Sequence, residues 1–193
     1  MTIPPPLLLR PWRASDAPAL RAAINESLDA LRPWMSWAPE EPTTLDVLAA
    51  RLSGYAQDFA EGSRWRFAVL HADTGLLLGG ASLHPYTGPG ALEVGYWVRS
   101  SWLRRKVASA AAAALARHAF DAHGVERAEI WCDTENHASA RVARRLGFTY
   151  AGPLLITNAD GTPRTLAVFR LDTLAALRMP TGAETWIETQ SAE

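Results

Sequence analysis

Glu-Val-Gly-Tyr-Trp-Val at positions 93–98 and Asn-His-Ala-Ser-Ala-Arg-Val-Ala-Arg-Arg-Leu-Gly-Phe at 136–148 frame the part of the chain from which its architecture can be read. The first closes an apolar segment, Ala91 to Val98, that reads as a strand. Its single acid, Glu93, has the opposite parity from Leu92, Val94, Tyr96 and Val98 and so projects to the other face. The second opens with Glu135-Asn136 ahead of a compact helix, Ala138 to Leu146, and stops at Gly147, a residue free to take the left-handed conformation that ends helices. Between the two blocks, Arg104 to His123 is alanine-rich with almost no breaker before Gly124 and reads as the longest helix; Val125 to Asp133 then returns to a strand.

Working outward toward the N-terminus, Leu7 to Arg10 is a short apolar run stopped by Pro11, and Leu20, Ile24, Leu28 and Leu31 recur at helical spacing after Ser15-Asp16. Trp34 and Trp37 follow in a proline-bounded turn. A second helix starts at Thr43-Thr44 and ends at Gly62, and Trp65–His71 and Leu76–His84 form a hairpin joined by Ala-Asp-Thr-Gly. Toward the C-terminus, Phe148 to Tyr150 and Thr165 to Leu171 complete the strands. The order defines a mixed-sheet α/β (α+β) fold of about six to seven strands and about four helices. It forms one domain over residues 1–177, followed by a tail, 178–193, in which nothing requires order.

These blocks, in this order, resemble the GCN5-related N-acetyltransferases (GNAT) over nearly the whole chain. The Leu-Arg-Pro-Trp-Met-Ser-Trp segment at 31–37 and the 136–148 block are most similar to the RimJ/RimL ribosomal-protein alanine acetyltransferase branch. The resemblance implies acetyl-CoA as acyl-donor cosubstrate and an amine acceptor. It places Trp97, Val98, Arg104, Arg105, Lys106, Val107, Ala108, Ser109 and Asn136 along the coenzyme. One stretch departs from the family pattern: 103–108 is Leu-Arg-Arg-Lys-Val-Ala, with Lys106 where relatives carry glycine and only Ala108 in agreement. Cations in the first turn of a helix oppose its positive end, at about 0.3–1 kcal/mol each, unless an anion compensates. Arg104, Arg105 and Lys106 therefore either meet the phosphates of the coenzyme or are solvated charges on a helix shoulder.

Acyl transfer to an amine requires a base for the amine, a polarised thioester carbonyl and a proton for the departing thiolate. The resemblance gives the first role to Glu93, through water, and the last to Ser139. The plain alternatives are a surface or salt-bridged glutamate and a helix-capping serine. Trp34, Trp37, His84 and Tyr96 are candidates for the acceptor pocket, with core packing the alternative for the tryptophans and a structural role for His84. Cys132, in an apolar strand, reads as packing.

Nineteen basic against twenty acidic side chains, a formal charge of -1, give no reason to expect nucleic acid or an anionic membrane as partner. A lone cysteine excludes an internal disulfide, and scattered histidines offer no metal set; both fit a cytoplasmic protein, monomer or homodimer. The expected function is transfer of an acetyl group to a primary amine, a protein or peptide N-terminal α-amine or a small amine. The alternative is a catalytically silent relative that binds acyl-CoA or another ligand.

Overall fold

The computed structural model of the protein describes residues 3–158 and 160–189; Met1, Thr2, Ala159 and the last four residues of the expected tail lie outside them. The strands are β1 (Leu7–Pro11), β2 (Trp65–His71), β3 (Leu77–His84), β4 (Ala91–Val98), β5 (Arg127–Asp133), β6 (Thr149–Thr157), β7 (Pro163–Leu171) and β8 (Thr185–Ile187). The helices are α1 (Ala17–Leu31), α2 (Leu45–Ala60), α3 (Val107–His123) and α4 (His137–Arg145). All eight strands form one sheet in the order β6-β7-β5-β4-β3-β2-β1-β8. The β4/β5 and β1/β8 pairs are parallel and the others antiparallel.

Strand alternation sorts the core into two layers. Leu7, Leu9, Phe67, Val69, Leu92 and Val94 bury one face of the sheet against α3 and α4, while Leu8, Ala68 and Leu70 face α1 and α2 with Leu20, Ile24, Leu48 and Leu52. Helix α3 is buried nearly all round, from Ala110 to Ala116, which its alanines make possible: small side chains let the helix lie close against the sheet and favour the helical backbone.

The feature that shapes the site is an interrupted ladder. β4 and β5 pair only from Ala91↔Arg127 to Glu93↔Glu129; past that point β4 runs on to Val98 and β5 to Asp133 without pairing to each other. β3 holds β4 along its whole length, from His84↔Glu93 to Gly79↔Val98. Glycine is required on β3, since a side-chain carbon at Gly79 would collide with the Trp97 carbonyl oxygen and one at Gly80 would lie 2.6 Å from Trp97 Nε1.

Three expectations are corrected. The long helix begins at Val107, not Arg104, because Arg104 and Lys106 are both left-handed, each at φ 61°. No glycine marks that bend in the sequence, so the helical composition reads straight through it. β6 extends to Thr157 rather than stopping at Tyr150: Gly152 and Pro153 interrupt the apolar pattern, but the strand shifts register between Tyr150 and Gly152, and an edge strand tolerates proline. The segment beyond Leu177 contributes β8, three residues paired in parallel with β1, and Arg178 N donates to Leu146 O at 2.9 Å, tying this segment to the end of α4.

Candidate active site

Where β4 and β5 part, a cleft of about 1300 Å³ opens between them and is lined from both faces of the sheet. Of the residues singled out in the sequence, Trp34, Trp37, His84, Glu93, Tyr96, Trp97, Val98, Arg104, Lys106, Val107, Ala108, Ser109, Asn136 and Ser139 all border it. Arg105 does not. It is exposed and lays its guanidinium over the ring of Trp102, itself at the cleft, at 4.8 Å, while Arg104 and Lys106 border the cleft directly.

At one end lies the loop before α3. Arg104 and Lys106 stand ahead of the helix rather than in its first turn, with Lys106 at the N-cap. The cost reasoned from three cations within the first turn is therefore smaller and falls chiefly on Lys106. The first helical bond is Ala110 N to Lys106 O at 2.9 Å, which leaves the N–H groups of Val107, Ala108 and Ser109 without a carbonyl one turn earlier. Two cations and an open helix N-terminus at a cleft wall suit a diphosphate. Val107 keeps its side chain in the core and can offer only its backbone.

At mid-cleft the two faces of β4 carry different chemistry. On the face toward α4, the Tyr96 hydroxyl and Ser139 Oγ are 2.9 Å apart, and burial pushes the Tyr96 hydroxyl up, so it stays protonated. Asn136 caps α4, its Oδ1 accepting from Ser139 N at 3.1 Å; the Ser139 hydroxyl is thus not the cap. Cys132, 6% exposed, is part of the core and also borders the cleft beside this pair, with burial pushing its thiol up.

On the opposite face stand two glutamates directly across the last rung of the ladder. Glu129, 4% exposed, accepts from Trp131 Nε1 at 2.8 Å, Arg127 Nε at 2.9 Å and Arg170 Nε at 3.2 Å. Burial alone would raise it, but these donors outweigh burial and hold it below the usual carboxylate range. Glu93, 9% exposed, has no hydrogen bond or ion pair among the described residues. Burial, and then the charge of Glu129, push it up to about 8. The surface or salt-bridged alternative for Glu93 is not what the structure holds.

Beside Glu93, cross-strand His84 stacks on Tyr86 at 4.8 Å with its Nδ1 buried and unpartnered among the described residues. Burial and then the charges of Arg66 and Arg64 push it down to about 4, so it is neutral at pH 7. Sequence reasoning missed Ser82 and Gly95. A side-chain carbon at Gly95 would sit 2.7 Å from Ser82 Oγ and 3.6 Å from Glu93 Oε1, so the glycine leaves a notch between hydroxyl and carboxyl. A lone glycine in a strand pattern is the available signal.

The far end is walled by the 31–37 turn. Trp37 meets Trp97 edge-on at 5.9 Å, and Arg164, paired with Asp133 at 3.0 Å, donates through Nη2 to Trp34 O at 3.2 Å. Arg51, Tyr55, Arg66, Arg141 and Arg145 also border the cleft and were not foreseen.

A mixed sheet whose central parallel pair parts over an open helix N-terminus defines an acyl-transfer protein of the GNAT class. Residues 6–149 match the acetyltransferase (GNAT) domain model, and the chain belongs to that family. It is an acetyl-CoA-dependent N-acetyltransferase. No curated protein matches the sequence. Among solved structures, it resembles RimL, the ribosomal L7/L12 α-N-protein acetyltransferase, in complex with coenzyme A: 23% identity over 91% of this chain and 99% of that one, TM-score 0.75. RimJ of Mycobacterium smegmatis in complex with CoA-disulfide shares 26% identity over 84% of this chain and 80% of that one, TM-score 0.74. The microcin C7 self-immunity acetyltransferase MccE, in complex with acetyl-CoA and AMP, gives 17% identity, 86% and 91% coverage and TM-score 0.77. Among the described residues, no helix is long and apolar enough to cross a membrane, and no group of three or more His, Cys, Asp or Glu side chains is placed to hold a metal.

Proposed function

We propose that the acceptor is a primary amine, the α-amine of a protein or peptide N-terminus or a small amine, and that Glu93 removes its proton. One observation carries this reading: a buried carboxyl without a partner among the described residues, beside the point where β4 leaves β5, pushed up to about 8. A base with that affinity is matched to an α-amine, whose reference value is about 7.7–8.0, far better than to a lysine amine near about 10.4. Acetyl-CoA supplies the acetyl group as an activated thioester: the C–N bond of the amide forms as the C–S bond breaks, and CoA departs as the free thiol.

Arg104, Lys106 and the free N–H groups of Val107, Ala108 and Ser109 hold the diphosphate. Asn136 and the unpaired backbone edge at Trp97 and Val98 hold the arm that leads to the sulfur. Glu93 takes the ammonium proton, directly or through a water in the notch at Gly95, and Ser139, tied to Tyr96, provides a proton where the thiolate leaves. Trp34 and Trp37 exclude solvent around the acceptor. The lone cysteine favours a cytoplasmic setting. Thiol release from acetyl-CoA across a panel of N-terminal peptides and small amines tests the reading; silence across the panel from protein that demonstrably binds CoA overturns it.

A further inference from the structure

At the acceptor end one guanidinium has more donors than the protein gives it acceptors. Arg66, its side chain 17% exposed, donates through Nη1 to Asp58 Oδ2 at 2.6 Å and lies over the Tyr55 ring at 4.3 Å. A guanidinium carries five N–H groups. Among the described residues Nε and Nη2 of Arg66 have no acceptor, although the residue borders the cleft. Arg164, on the opposite wall, shows the contrast: its Nε and Nη2 are both spent on protein, on Asp133 and on the Trp34 carbonyl.

The sheet register places Arg66 relative to the base. Arg66 pairs with Ser82 and Ser82 with Gly95, so the three form one row across β2, β3 and β4, with Glu93 two residues along on the same face. Strand spacing and rise put the Arg66 and Glu93 backbones about 12 Å apart. Both side chains rise from the same face, so with a hydrogen bond of about 2.9 Å at each end the gap that remains is about 6 Å, the reach of one or two extended residues at about 3.4 Å each. On α2, Arg51 lies one turn before Tyr55 and borders the same wall, paired with Glu41 at 2.6 Å. Of the other acids that border the cleft, Asp29 lies 3.7 Å from Arg32 and Asp133 is paired with Arg164 at 3.0 Å; neither is paired with Arg66.

We propose that Arg66 receives a carboxylate of the acceptor, and that the acceptor is a peptide N-terminus with an aspartate or glutamate one or two residues behind the reacting amine. This rests on the α-amine reading above and narrows it to acidic N-termini. The free Nε and Nη2 offer the paired donors that suit a carboxylate, and the aromatic floor of Tyr55 fixes the plane in which they are presented.

The test uses the full chain saturated with CoA. Ala-Glu-Ala-amide, Ala-Gln-Ala-amide and Ala-Lys-Ala-amide are titrated by calorimetry, and the same three are offered with acetyl-CoA while thiol release is followed. The glutamate peptide is expected to bind about tenfold more tightly than the glutamine peptide, with lysine weakest and the spread shrinking in salt. Arg66→Gln should bring glutamate and glutamine level, and Arg66→Lys, which keeps the charge, should restore part of the difference. Equal binding by the wild type, an Arg66→Gln protein that keeps the ratio, or no binding of any peptide overturns the proposal. A glutamate preference in binding without thiol release from any peptide supports the Arg66 seat and overturns the peptide-transfer reading instead.

Discussion

The two ends of the cleft are built by different means. The donor end is made from two short local stretches, the bend at 104–106 with the first turn of α3 and the cap of α4, with backbone groups as prominent as side chains. The acceptor end is assembled from the 31–37 turn, α2, β2, β3 and β7, and its contacts join residues as distant as Trp34 and Arg164. On the function proposed above, changes in local geometry at the donor end should act mainly on coenzyme affinity, whereas changes to single side chains at mid-cleft and beyond should act on turnover.

The sharpest way to break that contrast is Glu93→Gln. The amide is similar in shape and uncharged, so coenzyme affinity should hold while kcat falls about a hundredfold or more, as loss of a general base requires. Comparable losses in both would make Glu93 structural. Its ionisation gives a companion test. With the group pushed up to about 8, the carboxyl is mostly protonated at pH 7 and the base form grows as pH rises. At saturating amine, kcat should climb with pH and level off above about 8, and the Gln variant should lack that inflection.

Gly95→Ala comes next. The added methyl enters the notch beside Ser82 and Glu93 on backbone that any residue can adopt, so turnover should drop about tenfold through misplacement of the amine or its relay water. Thermal stability should barely move; a large loss of stability would mean the notch is core. The smallest effect is expected at Lys106→Gly. Relief of a left-handed lysine should stabilise the protein by about 1 kcal/mol in denaturant titrations. Loss of the cation should weaken CoA about two- to fivefold in a salt-dependent way. Unchanged affinity would assign the phosphate to backbone and Arg104 alone.

The same division explains what could be read in advance. The strand ending at Val98, the cap at Asn136 and the stop at Gly147 are local signals, since capping and helix termination act over a few residues. The bend at Arg104 and Lys106 was hidden because neither residue type announces a positive φ. Glu93 stood out as an acid in an apolar strand, yet its state depends first on burial and then on Glu129, which is 36 positions away and draws the local donors to itself. Tyr96 read as a pocket aromatic; only the docking of α4 brings its hydroxyl to Ser139. Arg66 carried no motif at all, and its spare donors are visible only after Asp58 and Tyr55 are in place.

The parting of β4 from β5 turns the sheet into a wall with a doorway. The 104–106 bend and the tryptophan turn stand on different thresholds of that doorway, so on the function proposed above each reactant has its own approach and neither must leave for the other to arrive. Initial-velocity plots at varied concentrations of both should consequently intersect rather than run parallel.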